Sequence, residues 1–251
     1  MNNITGILSG KGGTGKTTIA VNLALAMHKL EESVVLVDGD IKNPNMGLHL
    51  GAFDHHLTLH DVMEKDIALL EALHIHETGL RFIPAHLSLS YLGTDPVKLK
   101  KVFNNPELDY NILLDAPSGL SNDVISLMEI CNQILIVTTP YLPDITDALK
   151  TIEVARDKGI AVKGIILNHS RKKDYEISTK EIEAISGAEI VHTIPWDEEV
   201  LKSVHAKIPV VERAPLSPAA ISFMQLAASI SGRDYKPPMF LGLRRFISKL
   251  P

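Results

Sequence analysis

The chain has little cysteine, no excess of positive charge and no long apolar run. Its one cysteine, Cys131, stands among 251 residues, which excludes a disulfide framework and a metal site made only of cysteines within one chain. The net charge of −5 at pH 7 gives no global basic field, so we predict no direct contact with nucleic acid. No apolar run approaches the ~20 residues that span a bilayer, and the N-terminus leads into a strand pattern without a signal peptide. These absences predict a cytoplasmic protein.

Short apolar runs alternate with helical patterns along most of the chain. Runs with so few polar residues are typical of a parallel sheet that helices cover on both faces. We therefore predict an α/β fold of three layers, with a mostly parallel central sheet flanked by helices. The apolar runs are Ile4–Leu8, Val34–Val37, Leu80–Ile83, Ile112–Leu114, Ile134–Thr138, Val162–Leu167 and Glu189–Ile194.

One change of composition divides the chain near its C-terminus. The helical pattern Pro218–Ile230 is followed by a glycine, several charged residues and two prolines, which is typical of a linker. We predict one domain over residues 1–231, a linker over 232–238 and a separate helix over 239–251.

A glycine-rich stretch follows the first apolar run and leads into a helical pattern. Residues 10–17 satisfy G-x-x-x-x-G-K-[ST], in which a loop and a helix N-terminus present backbone N–H groups to phosphates. Lys16 supplies a charge that reaches the outer phosphates, and Thr17 supplies a hydroxyl that ligates magnesium. The stretch therefore predicts a site for a nucleoside triphosphate.

The same glycines permit a second interpretation. Gly10, Gly12 and Gly15 also fit G-x-G-x-x-G, the dinucleotide-binding pattern, and Asp38 follows at about the distance of its ribose-binding acid. A dinucleotide fold does not need the lysine and threonine that complete the first pattern. The triphosphate site is favoured, and a nicotinamide-dependent oxidoreductase stays as the alternative from another class.

Acidic residues follow two of the predicted strands. Asp115 ends an apolar strand in the Walker B manner, where a carboxylate can hold magnesium, usually through water, beside the Thr17 hydroxyl. Asp38 and Asp40 follow the second run, and in an extended chain side chains two residues apart point the same way. One acid could support the metal while the other orients or deprotonates water. A turn with two solvated acids is the alternative.

Lys11 is a residue that a general P-loop does not require. Residues 11–18, KGGTGKTT, resemble the deviant Walker A motif of the MinD/ParA family of ATPases. Further similar segments follow in the family's order over residues 1 to about 230, and the pattern is most similar to the MinD branch. Those segments are Val37–Asp40, Asn45–Leu48, Leu114–Gly119, Ile166–Asn168 and Ile194–Asp197.

The resemblance implies a P-loop NTPase fold and a homodimer that forms on binding ATP and Mg²⁺. Lys11 would reach across the interface to the phosphates in the partner subunit, as an arginine finger does elsewhere. Lys16 would hold the β- and γ-phosphates of its own subunit, and Asp40 would position the attacking water. These three are the catalytic residues that the resemblance implies.

The resemblance also implies the other contacts with nucleotide and metal. Thr17 would ligate Mg²⁺, and Asp38 and Asp115 would complete its surroundings through water. Asn168 would read the adenine edge, and backbone near Pro195 would close over the base. The implied ATP-binding set is Gly10, Lys11, Gly12, Gly13, Thr14, Gly15, Lys16, Thr17, Thr18, Asn168 and Pro195.

Residues 239–250 form the second informative stretch. In a helix their apolar residues would share one face and their basic residues the other, which is the form of an interfacial membrane anchor. The stretch resembles the membrane-targeting sequence of the MinD branch; a helix that docks on its own domain or on a protein is the alternative. We expect peripheral attachment to an anionic surface at the inner face of the cell membrane. The predicted membrane-facing residues are Phe240, Leu243, Phe246, Ile247 and Leu250.

Within the family, the resemblance implies a switch that positions other proteins, for example at the cell-division site, through an activator or client that the sequence does not identify. An FlhG-like ATPase of flagellar number, which also carries a C-terminal amphipathic helix, is an alternative. A ParA-like DNA segregation protein would need a DNA-binding surface, and the net charge and the tail argue against it. The iron–sulfur carriers of the family need paired cysteines, and Cys131 is alone.

Overall fold

The computed structural model describes residues 3–65, 67–86, 97–103 and 110–238. Its strands are β1 (Asn3–Ser9), β2 (Val34–Asp38), β3 (His74–Ile75), β4 (Arg81–Ile83), β5 (Asn111–Ser118), β6 (Gln133–Thr138), β7 (Ala161–Ser170) and β8 (Ile190–Pro195). They form one sheet in the order β3-β4-β2-β5-β1-β6-β7-β8. Neighbouring strands are parallel, except that β3 runs antiparallel to β4.

Helices cover both faces of this sheet. They are α1 (Lys16–Lys29), α2 (Met46–Leu50), α3 (Leu59–Lys65), α4 (Val97–Phe103), α5 (Asn122–Met128), α6 (Leu142–Asp157), α7 (Thr179–Ser186), α8 (Glu198–Ala206), α9 (Val210–Arg213) and α10 (Pro218–Ser231), and a 3₁₀ helix spans Leu69–Ala72. Helices α1 and α10 pack on one face, and α5 and α6 pack on the other.

Each face of the sheet has its own apolar core. Successive residues of β1 point to opposite faces, so Ile7 enters the core with α1 and α10 while Leu8 enters the core with α5 and α6. Both side chains are fully buried. The central strands are therefore apolar at nearly every position, and the predicted three-layer α/β fold with a mostly parallel sheet is confirmed.

The winding of the chain reverses at β1. This strand lies between β5 and β6, and the connection from β1 to β2 runs through α1 on one face, whereas the connection from β6 to β7 runs through α6 on the other. A crevice forms at the carboxyl ends of the strands where the winding reverses, and ligands of such sheets bind there. The glycine-rich loop leaves β1 at that crevice.

One strand extends further than predicted, and one short strand was not predicted. The strand of the fourth apolar run was expected to end at Asp115, but β5 continues to Ser118, which pairs with Ser9 of β1 after an irregularity in the register. The short strand β3 was not predicted, because two residues carry no periodicity. A turn in which Gly79 N–H donates to the His76 carbonyl (2.8 Å) joins it to β4.

The described part of the chain ends shortly after α10. Gly232 closes that helix in a left-handed conformation (φ +66°), and residues 233–238 have neither helix nor strand. Arg233 donates to the Glu32 carboxylate (2.5 Å). The predicted amphipathic helix over 239–251 and its membrane-facing residues lie outside the described residues. Every described helix is too short or too polar to cross a bilayer.

Candidate nucleotide-binding site

The loop between β1 and α1 is shaped by close contacts that only glycine permits. A Cβ atom on Gly10 would lie 2.3 Å from the Asp147 carbonyl oxygen of α6. Gly15 has φ +88°, and its Cβ would lie 2.3 Å from Asn168 Nδ2. Gly15 also precedes α1, which no side chain of the described residues caps. The N–H groups of the first turn are thus left to an anionic ligand.

Lys16 reaches the neighbouring strand β5. Its ammonium Nζ lies 2.6 Å from Asp115 Oδ1, and the two side chains are only 8% and 1% exposed. The predicted phosphate-binding lysine and the predicted Walker B acid are therefore brought together. Asp115 Oδ2 is buried and has no hydrogen-bond partner among the described residues.

Asp38 lies beside Asp115 because β2 and β5 pair in parallel register at these two residues. Asp38 is 1% exposed. Burial, followed by the charge of Asp115, raises the pKa of the Asp38 carboxyl well above its usual range. Its two oxygens accept N–H groups of Asp40 (3.1 Å) and Met46 (3.3 Å), so Asp38 also shapes the loop that follows β2.

Asp40 lies where that loop leaves the sheet. Its Oδ1 accepts the Asn43 N–H (3.0 Å), and burial raises the pKa of its carboxyl. A cavity beside it is lined by residues 39–43 and by Pro117 and Ser118 at the end of β5. Asp40 and Asp38 therefore differ in surroundings: one faces a cavity, and the other is enclosed between strands.

Lys11 does not point at its own phosphate loop. Its ammonium forms an ion pair with Asp144 in the first turn of α6, and the Lys11 side chain is 42% exposed. Hydrogen bonding to Asp144 raises the pKa of Lys11, and the Thr139 hydroxyl donates to the same carboxylate. The two lysines of the loop thus have separate acidic partners.

Asn168, at the end of β7, lies beneath the glycine-rich loop. It is 4% exposed, and its Nδ2 donates to the Thr14 carbonyl (2.8 Å). Asn168 also lines a cavity that runs from Thr18 of α1 to Pro195 and Trp196 after β8. The two residues predicted to meet the base therefore share one cavity, which Thr18 in the first turn of α1 also lines.

The residues around Lys16 suit a magnesium ion. The unpartnered buried oxygen of Asp115 and the nearby carboxyl of Asp38 place carboxyl oxygens beside the Lys16 ammonium. Carboxylate and hydroxyl oxygens are the ligands that Mg²⁺ prefers. Thr17 follows Lys16 in the first turn of α1 and supplies the hydroxyl.

Two residues of this region were not found from the sequence. Asp144, the partner of Lys11, and Arg171, which lies over the Trp196 ring at 4.1 Å, are far from their partners along the chain. An acid in the first turn of a predicted helix is a signal for a capping charge, and it gave no reason to expect a bond to Lys11.

A phosphate loop after the central strand, a buried lysine on a strand-borne aspartate and uncapped helix amides together define a P-loop nucleoside triphosphatase. Residues 1–231 match the family model ParA, described as "NUBPL iron-transfer P-loop NTPase". The chain therefore belongs to the ParA family, close to MinD, and is an ATPase. Membership of this family sets aside the dinucleotide interpretation of the glycines.

Relatives of the chain include an uncharacterized ATP-binding protein of Methanocaldococcus jannaschii, 34% identical over 90% of this chain and 87% of the relative. The septum site-determining protein MinD of Thermotoga maritima is 33% identical over 84% and 81%. The antiactivator FleN of Pseudomonas aeruginosa is 29% identical over 90% and 85%.

Similar solved structures come from the same group of proteins. The cell division ATPase MinD of Pyrococcus furiosus has a TM-score of 0.86 and 33% identity, covering 92% of this chain and 99% of that one. MinD of Pyrococcus horikoshii, complexed with Mg-ADP, has a TM-score of 0.86 and 32% identity over 92% and 96%. A MinC:MinD complex of Aquifex aeolicus has a TM-score of 0.82 and 27% identity over 93% and 98%.

The iron transfer named in the family description has no counterpart in the cysteine content of this chain. Burial raises the pKa of the single Cys131 thiol to about 12, and one thiol does not supply the several thiolates that hold an iron–sulfur cluster within one chain. Among the described residues, no group of three or more histidines, cysteines and acids could hold a metal ion.

Proposed function

We propose that this ATPase dimerises when it binds Mg-ATP, attaches peripherally to an anionic membrane through residues 239–251, and positions a partner protein in the cell. The observation that carries the proposal is the separation of Lys11 from Lys16. Lys16 is buried on Asp115, whereas Lys11 is exposed at the rim of the same loop. A charge held at the surface is available to a second subunit.

The residues of one subunit would bind and orient the triphosphate. Lys16 would exchange part of its contact with Asp115 for the β- and γ-phosphates, while the N–H groups of the loop and the first turn of α1 hold phosphate oxygens. Thr17, Asp38 and Asp115 would hold Mg²⁺, the two carboxylates through water. When bound, this ion supplies positive charge that neutralises the phosphate oxygens.

The second subunit would complete the site. Lys11 would leave Asp144 and place its ammonium against the phosphates across the interface, where charge develops during hydrolysis. The Lys11 end of this ion pair is 42% exposed, and water screens a charge at such a position, so Asp144 can orient Lys11 and still release it. Asp40, beside its cavity, would position the attacking water.

Membrane attachment would then follow from dimerisation. One short amphipathic segment binds a bilayer weakly, and two linked copies bind much more tightly because the second contact is intramolecular. ATP binding would therefore recruit the protein to the membrane, and hydrolysis would release it. The similarity to MinD supports this behaviour.

Sedimentation with anionic vesicles tests the proposal. We expect the Asp40→Ala variant, which should bind ATP without hydrolysing it, to pellet with vesicles in Mg-ATP and to stay in the supernatant in Mg-ADP. The same variant ending at Tyr235 is the matched control and should dimerise in Mg-ATP without pelleting. Equal pelleting of the two forms, or hydrolysis by Asp40→Ala at the parental rate, would contradict the proposal.

The identity of the partner protein would distinguish two possible roles within the family. Similarity to MinD, including the MinC:MinD cell division protein complex, favours placement of the division site, and similarity to the antiactivator FleN favours control of an activator protein. Capture experiments with Asp40→Ala protein held in ATP would separate these roles, because the partner of the ATP-bound dimer accumulates on the variant. Recovery of a cell-division protein supports the first role, and recovery of an activator protein supports the second.

A further inference from the structure

His60, in the first turn of α3, is an ionisable side chain that the fold buries completely. Its ring lies between two backbone segments that come from different strands. Its Nδ1 is 2.9 Å from the backbone nitrogen of His86, after the end of β4. Its Nε2 is 3.1 Å from the Ile41 carbonyl oxygen, in the loop after β2. One imidazole thus connects the loop that carries Asp40 to the end of β4.

These two contacts define which nitrogen of the ring carries the proton. The backbone N–H of His86 can only donate, so Nδ1 accepts it and the single proton of a neutral ring is on Nε2. The Ile41 carbonyl can only accept, so the Nε2 N–H donates to it. Burial lowers the pKa of His60, which favours this neutral form at neutral pH. The ring is therefore a donor to the loop after β2 and an acceptor from the end of β4.

The helix that carries His60 is itself fixed to the sheet. The Leu59 N–H donates to the Pro84 carbonyl (2.8 Å), which follows β4. The Asp61 carboxylate accepts both the N–H (2.9 Å) and the hydroxyl (2.8 Å) of Thr58 just before the helix. Because these bonds set the position of the first turn, the imidazole is presented to the loop after β2 from a rigid support.

The loop after β2 is held on both sides of Asp40. On one side, the Asp40 N–H donates to Asp38 Oδ1 (3.1 Å). On the other side, Asp40 Oδ1 accepts the Asn43 N–H (3.0 Å), so the carboxylate closes a turn that contains Ile41. His60 binds the carbonyl of the residue inside that turn. Rotation of this peptide would move the Asn43 N–H, and the Asp40 carboxylate with it.

We propose that His60 is a positioning residue for ATP hydrolysis, which fixes the Asp40 carboxylate beside its cavity by binding the Ile41 carbonyl. This inference rests on the proposed role of Asp40 in positioning the attacking water. A group that orients a nucleophile must be held to a fraction of an ångström, whereas nucleotide affinity depends mainly on the loop between β1 and α1. Loss of the bond to Ile41 should therefore lower kcat and leave KM nearly unchanged.

Two variants of the full chain separate the two bonds of the ring. His60→Gln places an amide near the position of Nε2, where it can still donate to Ile41. His60→Asn places an amide oxygen near the position of Nδ1, where it can still accept from His86, but its side chain is too short to reach Ile41. We expect kcat for Mg-ATP hydrolysis to stay within about threefold of the parent in His60→Gln and to fall at least about tenfold in His60→Asn. KM for Mg-ATP should stay within about threefold of the parent in both variants.

His74→Asn is the matched control. His74 Nε2 also bonds to a backbone carbonyl, that of Leu57 (2.7 Å), but this bond joins β3 to the segment before α3 and does not involve the loop after β2. The control should unfold at a lower urea concentration than the parent and keep the parental kcat. Every variant is assayed at a temperature at which circular dichroism shows that it is folded.

Equal kcat values for the two His60 variants would overturn the inference. Loss of turnover by folded His60→Gln protein would overturn it too, whatever His60→Asn does. A fall of kcat in His74→Asn as large as that in His60→Asn would also overturn it, because a general loss of stability would then explain both. Asp40→Ala separates this inference from the proposed function. Parental hydrolysis by Asp40→Ala would contradict both, whereas an inactive Asp40→Ala with a fully active His60→Asn would overturn only the role of His60.

Discussion

At the scale of single residues, burial decides what each lysine of the phosphate loop can do. Lys16 is enclosed with Asp115, and a buried charge that loses its partner is costly, so this ammonium stays within its own site. Lys11 keeps much of its contact with water and pairs with Asp144 at the surface. An exposed ammonium exchanges partners at little cost. Lys11 is therefore the lysine that a second subunit can recruit.

Replacing Lys11 and its partner separately tests this division of roles. Lys11→Ala should abolish the ATP-dependent dimer, because the charge that crosses the interface is gone, and should leave Mg-ADP affinity within about threefold of the parent. Asp144→Asn keeps the size of the side chain and should change the dimer dissociation constant by less than about fivefold. Sedimentation velocity in Mg-ATP measures both. Loss of the dimer in Asp144→Asn would instead assign the ion pair a structural role.

The sequence predicts some of these residues and not others. Lys16 and Asp115 belong to motifs with fixed spacing, and the fold brings them together as expected (2.6 Å). The contacts of Lys11 with Asp144 and of Arg171 with Trp196 depend on how α6 and the end of β7 approach the loop. Such distances are set by packing between elements and have no local pattern.

At the scale of elements, the end of β7 supports the loop between β1 and α1. Asn168 donates to the Thr14 carbonyl, and its amide occupies the space that a Cβ on Gly15 would need. The strand thus fixes the loop before any phosphate is present. A site held in shape in advance loses less entropy when it binds its ligand.

Asn168→Ala tests this support. Removing the amide leaves the buried Thr14 carbonyl without its donor, so we expect the free energy of unfolding to fall by roughly 1–3 kcal/mol and Mg-ADP binding to weaken about tenfold. Asn22→Ala is the matched control, since that buried amide bonds to the Thr18 carbonyl and the Val211 N–H. It should lose similar stability in urea unfolding and keep its ADP affinity. Equal effects of the two variants on ADP binding would argue against support of the loop by Asn168.

Most elements could be predicted because their pattern is repeated over several residues. The apolar runs located seven of the eight strands in the described part of the chain, and the end of β5 was misjudged because its pairing with Ser9 depends on β1. The strand β3 has two residues and no period. Strand ends and short edge strands thus depend on neighbours that a local pattern does not contain.

At the scale of the whole molecule, the sheet gathers the site at one edge. The loops after β1, β2 and β7 all leave the carboxyl ends of parallel strands, and the fold class could be predicted because strands buried on both faces have a distinctive composition. Association with a second subunit depends on the surface of the protein, and the periodic pattern of apolar residues that predicts the fold does not predict it. The exposure of Lys11 is the feature of the fold that bears on it most directly.

Mixing two inactive variants tests the central claim, that Lys11 acts on the phosphates of the other subunit. Lys11→Ala protein has Asp40 but no exposed lysine to offer, and Asp40→Ala protein has Lys11 but no residue to position water. In a mixed dimer, the site of the Lys11→Ala subunit would receive Lys11 from its partner and would be complete.

We expect ATP hydrolysis to return when the two variants are mixed before ATP is added, to at most about half of the parental rate, because each mixed dimer has only one complete site of two. Each variant alone at the same total concentration is the control. Hydrolysis by the mixture that equals the sum of the separate variants, while affinity-tagged subunits show that mixed dimers form, would contradict action of Lys11 across the interface.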